Sequence, residues 1–168
     1  MNNMTKDRKN VCQQNRNKKQ LICILSLVLA ITLMLCSCGS KTALTKDTFI
    51  SNATSYGLET SDAGVNADGL VSGTVAYKAE GGNAAWQAEF YVLNSEDRAK
   101  EMFENNKAKF ESGSGSQSSA SIGNYSTYEK TGDGKFKYLC RVDATLLYID
   151  INETYKDAAK GFIKQIGY

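Results

Sequence analysis

The 168-residue chain contains no histidine and no proline. The first absence is the informative one. It removes the commonest general base and the commonest transition-metal ligand, which excludes Ser-His-Asp and Cys-His nucleophilic catalysis and histidine-based zinc sites. A serine nucleophile is missing by a second criterion. The serines at 112, 114, 116, 118 and 119 contain no Gly-x-Ser-x-Gly elbow and have no base to activate them. Strong net charge is also lacking, since the formal value is +2, and even that excess is local. Six bases and one acid precede Cys38, leaving 14 of the 20 bases and 17 of the 18 acids in the remainder, a net charge of −3. A body of that sign argues against nucleic-acid binding. What is present is an ordinary globular mixture, 42% hydrophobic, 10% aromatic and 23% charged, in a length suited to one domain.

Residues 1–20 are polar and basic, and they run into fifteen uncharged residues, Leu21 to Leu35. This is the layout of a secretory signal peptide. As a helix the stretch would cover about 22 Å, short of the ~30 Å hydrocarbon core, which disfavours a stable span. The following Leu35-Cys36-Ser37-Cys38-Gly39-Ser40 resembles the lipobox of bacterial lipoprotein precursors, with Leu at −3, a small residue at −1, the modified Cys at +1, then Gly and Ser. The resemblance implies that peptide 1–37 is removed and that Cys38 is diacylglycerylated on its thiol. The mature protein would then be anchored on the extracytoplasmic face of the cell membrane. Cys36 at −2 is the departure from the pattern, at a position that family tolerates.

On that reading Cys12, Cys23 and Cys36 leave with the signal and Cys38 is acylated, so Cys140 is the one remaining thiol and no internal disulfide is available. An exported domain without disulfides depends on its core. Cys140 falls on the apolar parity of Phe136-x-Tyr138-x-Cys140-x-Val142, which predicts a small buried hydrophobe.

After a tether over 38–44, a helix is expected from Lys46 to Tyr56, with Thr45 as N-cap and Gly57 as the C′ residue. Residues 58–69 read as a loop. Two alternating runs follow, Val71, Gly73, Val75, Tyr77 and Trp86, Ala88, Phe90, Val92, joined by a turn at Glu80 to Asn83. Ser95 opens a helix whose apolar stripe is Ala99, Met102, Phe103 and Phe110. The Ser- and Gly-rich residues 112–123 read as a flexible linker. Strands are then expected over Tyr125–Lys130, Lys135–Val142 and Leu146–Ile151, and Asn152 caps a final helix that presents Phe162, Ile163 and Ile166. The two strand-to-helix transitions at Tyr91–Ser95 and Tyr148–Asn152 look like counterparts.

The expected fold class is therefore α+β, in the order α-β-β-α-β-β-β-α: a two-layer sandwich whose antiparallel sheet of about five strands carries its helices on one face. The other face would be open. Among the side chains it would present, Tyr91, Arg141, Tyr148, Glu89 and Lys137 form the candidate binding face. Asp62-x-Gly64-x-Asn66-x-Asp68 alternates oxygen ligands as calcium loops do. The Gly and the bidentate acid such a loop requires fall on Ala67 and Gly73, so a polar surface loop is expected instead. No metal and no cofactor are implied.

Nine tyrosines, a residue enriched at interfaces, are the compositional signal left once catalysis is set aside. The function these features point to is a membrane-anchored binding or interaction module for a protein, peptide or glycan, held at the bacterial cell surface by its lipid. The alternative is a small exported hydrolase that acts on cell-wall or extracellular glycan through carboxylates such as Glu89 and Asp150.

Overall fold

The computed structural model describes residues 39–168. The expected signal peptide and the lipid-bearing Cys38 lie outside the described residues. The elements in chain order are α1 (Lys46–Ser55), β1 (Glu59–Asp62), β2 (Leu70–Glu80), β3 (Asn83–Leu93), α2 (Glu96–Glu111), β4 (Ser116–Ile122), β5 (Tyr125–Gly132), β6 (Lys135–Val142) and β7 (Thr145–Asn152). A 3₁₀ turn over Glu153–Tyr155 leads into α3 (Lys156–Ile166). The starts of α1 and α2 follow from their capping residues. Thr45 Oγ1 accepts from the Thr48 N–H at 3.2 Å, and Ser95 Oγ accepts from the Arg98 N–H at 3.2 Å. Asn152, expected to cap the final helix, instead caps the 3₁₀ turn by accepting from the Thr154 N–H, and α3 itself starts without a side-chain cap. Gly167 closes α3 in the left-handed conformation, with the Tyr168 N–H returning to the Ile163 carbonyl.

The strands form one seven-stranded antiparallel sheet in the order β1-β2-β3-β7-β6-β5-β4. Two meanders, β1–β3 and β4–β7, thus meet where β3 pairs with β7. This overturns the expected five-stranded, two-layer arrangement in three respects.

First, the sheet has two more strands, and both are edge strands. β4 lies within the expected linker and pairs with β5 from Ser116↔Thr131 to Ile122↔Tyr125, with every side chain exposed. β1 lies within the expected loop and pairs with β2 from Glu59↔Tyr77 to Asp62↔Thr74. An edge strand held by backbone hydrogen bonds need bury no side chain, so it leaves no apolar alternation to read.

Second, helices cover both faces. On the first face α1 and α3 pack Phe49, Ala53, Ala159 and Phe162 over Trp86, Phe90, Phe136, Cys140, Leu147 and Ile149. On the second face α2 packs Ala99, Phe103 and Phe110 over Tyr91, Tyr128, Leu139 and Leu146. The reason is the route of the chain. From central β3 to edge β4 is four strand steps, ~19 Å at the usual spacing. A sixteen-residue helix is ~24 Å long, so α2 has the length to make that crossing over the sheet.

Third, β2 is turned over relative to expectation. Thr74 and Ala76 are the buried residues, paired with Phe90 and Ala88 on the first face, while Val75 and Tyr77 are half-buried on the second. α1 packs closely on β2, and short side chains meet that approach better than Val and Tyr would. The resemblance between the two strand-to-helix transitions also ends at the helices. β3 and β7 lie side by side, but α2 and α3 go to opposite faces of the sheet.

Candidate functional site

α2 does not cover the whole second face. Beside its path, β3 presents Gln87 and Glu89 at alternate positions, β7 presents Tyr148 and Asp150, and β2 presents Val75 and Tyr77, all half-buried. Register brings them together: Glu89 lies between Val75 and Tyr148, and Gln87 lies beside Tyr77. Lys137 on β6 is opposite Asp150.

Glu89 organises the centre of this patch. Its Oε1 accepts from Gln87 Nε2 at 3.0 Å, and its Oε2 accepts a short hydrogen bond from the Tyr91 hydroxyl. Tyr91 is only 5% exposed and runs beneath the patch across Gly73. A methyl group at Gly73 would stand 2.9 Å from Ala63 Cβ and 3.2 Å from the Tyr91 ring, so the glycine makes room for that ring. Burial, the hydrogen bond to Glu89 and the charge of Glu89 all raise the Tyr91 pKa. Tyr148 stacks against Phe110 with centroids 5.1 Å apart. Its phenol is pushed up to about 12, first by burial and then by the charges of Asp150 and Glu89. Lys137 Nζ lies 5.0 Å from the Phe110 centroid, Lys135 Nζ lies 3.5 Å from Asp150 Oδ1, and the Tyr77 hydroxyl donates to Glu59 Oε2 at 3.0 Å. Asp150 Oδ1 receives no hydrogen bond.

Four of the five candidate residues therefore converge, with Tyr91 as the buried floor. Arg141 does not join them. It is 4% exposed near the β6–β7 turn, where its guanidinium donates to the Asp143 carbonyl at 3.2 Å and to Ser126 Oγ at 3.5 Å. The expected open face placed both Tyr91 and Arg141 in solvent; the packing of α2 covers Tyr91, and Arg141 is buried against Ser126 and the β6–β7 turn. Tyr77 is the patch residue that the alternation of β2 assigned to the wrong face. Gln87 and Asp150 carry no motif, and only the pairing of β3 with β7 brings them together.

The acids of the calcium-like loop are otherwise engaged. Asp62 Oδ1 accepts from the Gly64 N–H at 2.9 Å, and Asp68 pairs with Arg98 at 2.6 Å. Among the described residues no group of three acidic or thiol side chains is placed to hold a metal ion.

No family model and no curated protein matches the chain. It is similar to the crystal structure of a GTP binding regulator from Thermotoga maritima, at 16% identity and a TM-score of 0.47, over 76% of this chain and 88% of that one. A likeness this distant carries no argument about function.

Proposed function

We propose that the chain is a membrane-anchored lipoprotein of the bacterial cell surface whose folded domain is a non-catalytic binding module. The lipobox-like Leu35–Cys38 supports the anchor, and the half-open patch around Glu89 and Tyr148 supports the binding role. The single observation that carries the binding reading is the chemistry of that patch. Carboxylate and carboxamide oxygens of Glu89, Asp150 and Gln87 surround half-buried tyrosines at the margin of the area that α2 covers. Ionised carboxylates only accept hydrogen bonds, and tyrosine rings offer flat apolar contact. Together they suit the donor hydroxyls and apolar ring faces of a cell-envelope glycan.

The same acids are poor hydrolase groups. Both oxygens of Glu89 are held by Gln87 and Tyr91, which leaves lone pairs to accept from a ligand hydroxyl but fixes the carboxylate as an acceptor rather than a free acid or nucleophile for glycoside cleavage.

The anchor is tested by Cys38→Ala. Precursor of full length without lipid is expected in membranes, and a cleaved, acylated product of unchanged mass would refute the lipobox assignment. The binding role is tested by sedimenting the processed protein with isolated cell-wall glycan. Tyr148→Ala and Glu89→Gln should each lower retention about tenfold, the equivalent of ~1.4 kcal/mol, while Lys100→Ala on the exposed side of α2 should not. Equal retention by all the variants would move the binding surface elsewhere.

A further inference from the structure

We propose that the domain meets the bilayer by one corner, the β4–β5 turn, and that Ile122 enters the lipid beside the acylated Cys38. The inference rests on the lipoprotein reading above and adds to it an orientation.

The argument begins with the segment expected to be a free tether. Residues 39–44 are instead fastened to the domain. The Gly39 carbonyl oxygen lies against Gly123, and a Cβ built on Gly39 would stand 3.4 Å from Ile122 Cγ2. The Lys41 N–H donates to Asn124 Oδ1 at 3.0 Å, and Asn124 Nδ2 donates back to the Lys41 carbonyl at 2.7 Å and to Asp143 Oδ1 at 2.9 Å. Further on, the Leu44 N–H donates to the Tyr168 hydroxyl at 3.1 Å. Consecutive Cα atoms are ~3.8 Å apart. Cys38 is bonded directly to Gly39, so in the proposed orientation its lipid would begin one peptide unit from a fixed point.

The second observation is Ile122 itself. It is 46% exposed, and it ends a strand whose other residues are Ser, Gln and Ala. Between Glu111 and Asn124 it is the sole large apolar side chain. Such a side chain gains little from the fold, but a hydrocarbon phase one residue from the anchor would remove it from water. The charges nearest the corner are held by the protein itself. Gly39, Ser40, Ile122, Gly123 and Asn124 are uncharged, the Asp143 carboxylate accepts from Asn124 Nδ2, and the Lys41 ammonium donates to the Gly167 carbonyl at 2.7 Å and lies 5.3 Å from the Tyr125 centroid. The contact is apolar, so it should not depend on anionic lipid.

This orientation bears on the binding patch. β7 runs away from the end of the sheet that holds the β4–β5 turn. Tyr148 and Asp150 lie three and five residues along it from Thr145, ~10 and ~17 Å at the usual rise. The patch would face the aqueous space rather than the lipid.

The test uses the full chain, expressed in a bacterium, processed, and placed in phosphatidylcholine vesicles with and without phosphatidylglycerol. Ile122→Cys and Ser116→Cys put one reporter at either end of β4, and Cys140 is buried. Each is labelled with an environment-sensitive fluorophore and exposed to lipids carrying a quencher in the acyl chain. Quenching several-fold stronger at 122 than at 116, unaltered by phosphatidylglycerol, is expected. Mass spectrometry of the same sample separates the two readings. Acylated Cys38 with equal quenching at both positions overturns the orientation alone, whereas absence of the acyl group overturns the anchor and the orientation with it.

Discussion

Lys130 shows how a single side chain serves an element to which it does not belong. It is 3% exposed, and its ammonium donates to the carbonyls of Glu111, Ser112 and Gly113 at 3.3, 2.7 and 2.9 Å. These are carbonyls at and just beyond the end of α2, where the helix leaves acceptors without partners and the dipole is negative. A cation there satisfies both at once, which explains how a charged residue of β5 stays buried without a carboxylate bonded to it. Lys130→Met keeps the stem and removes the donors. Charge-assisted hydrogen bonds contribute about 1.5–3 kcal/mol, so denaturant titration should show a loss of that order, and a change below ~0.5 kcal/mol would mean that water replaces the ammonium. In sequence Lys130 is an unremarkable strand lysine, because its role depends on a helix end nineteen residues away in the chain.

Among the elements, α3 was legible and its fit to α1 was not. The stripe of Ala159, Phe162, Ile163 and Ile166 is buried as its spacing predicts. Gly161, however, sits in mid-helix, where glycine costs about 1 kcal/mol relative to alanine. The structure supplies the reason. A methyl group at Gly161 would collide with the Tyr56 hydroxyl, which reaches across to donate to the Ala158 carbonyl at 2.8 Å. Gly161→Ala should therefore lower the melting temperature in the natural background and raise it in Tyr56→Phe, where the obstructing oxygen is gone. Thermal melts of the four proteins of this cycle decide the point, and a stabilising Gly161→Ala in both backgrounds would refute it. The edge strands behave oppositely. β4 and β1 are held by pairing with β5 and β2, and their own composition resembles that of a linker.

For the whole molecule, the ionisation of the core predicts a stability limit on the alkaline side. Burial pushes the Cys140 thiol from its ordinary value near 9.0 up to about 11 and Tyr148 up to about 12, and it raises Tyr138, Tyr91 and Tyr168 as well. Each group is neutral when protonated, so the folded state retains protons that the unfolded chain gives up first. Stability from these groups is complete below about pH 9 and is lost as pH rises through the folded values. Melts followed by the fluorescence of Trp86, the one tryptophan, should show a midpoint that these groups leave level to about pH 9 and that then falls steadily. Cys140→Ala should move the onset of that fall toward pH 10, where the tyrosines begin. An onset unchanged by the substitution would mean that the thiol does not contribute.

From its amino acids alone this protein determined the local features that repeat within a few residues: the capped helices, the central strands, the apolar parity of Trp86, Phe90, Phe136 and Cys140, and the absence of a histidine-based active site. Propensity, capping and alternation act over short separations, so they can be read along the chain. Tertiary structure alone decided that α2 crosses the second face of the sheet, that Tyr91 and Arg141 are covered, that Ser116–Ile122 is a strand, and that Glu89, Gln87, Tyr148 and Asp150 form one patch. Each of these depends on which strand pairs with which. That choice was made by burying two apolar faces together, a property of the assembled sheet and of no segment within it.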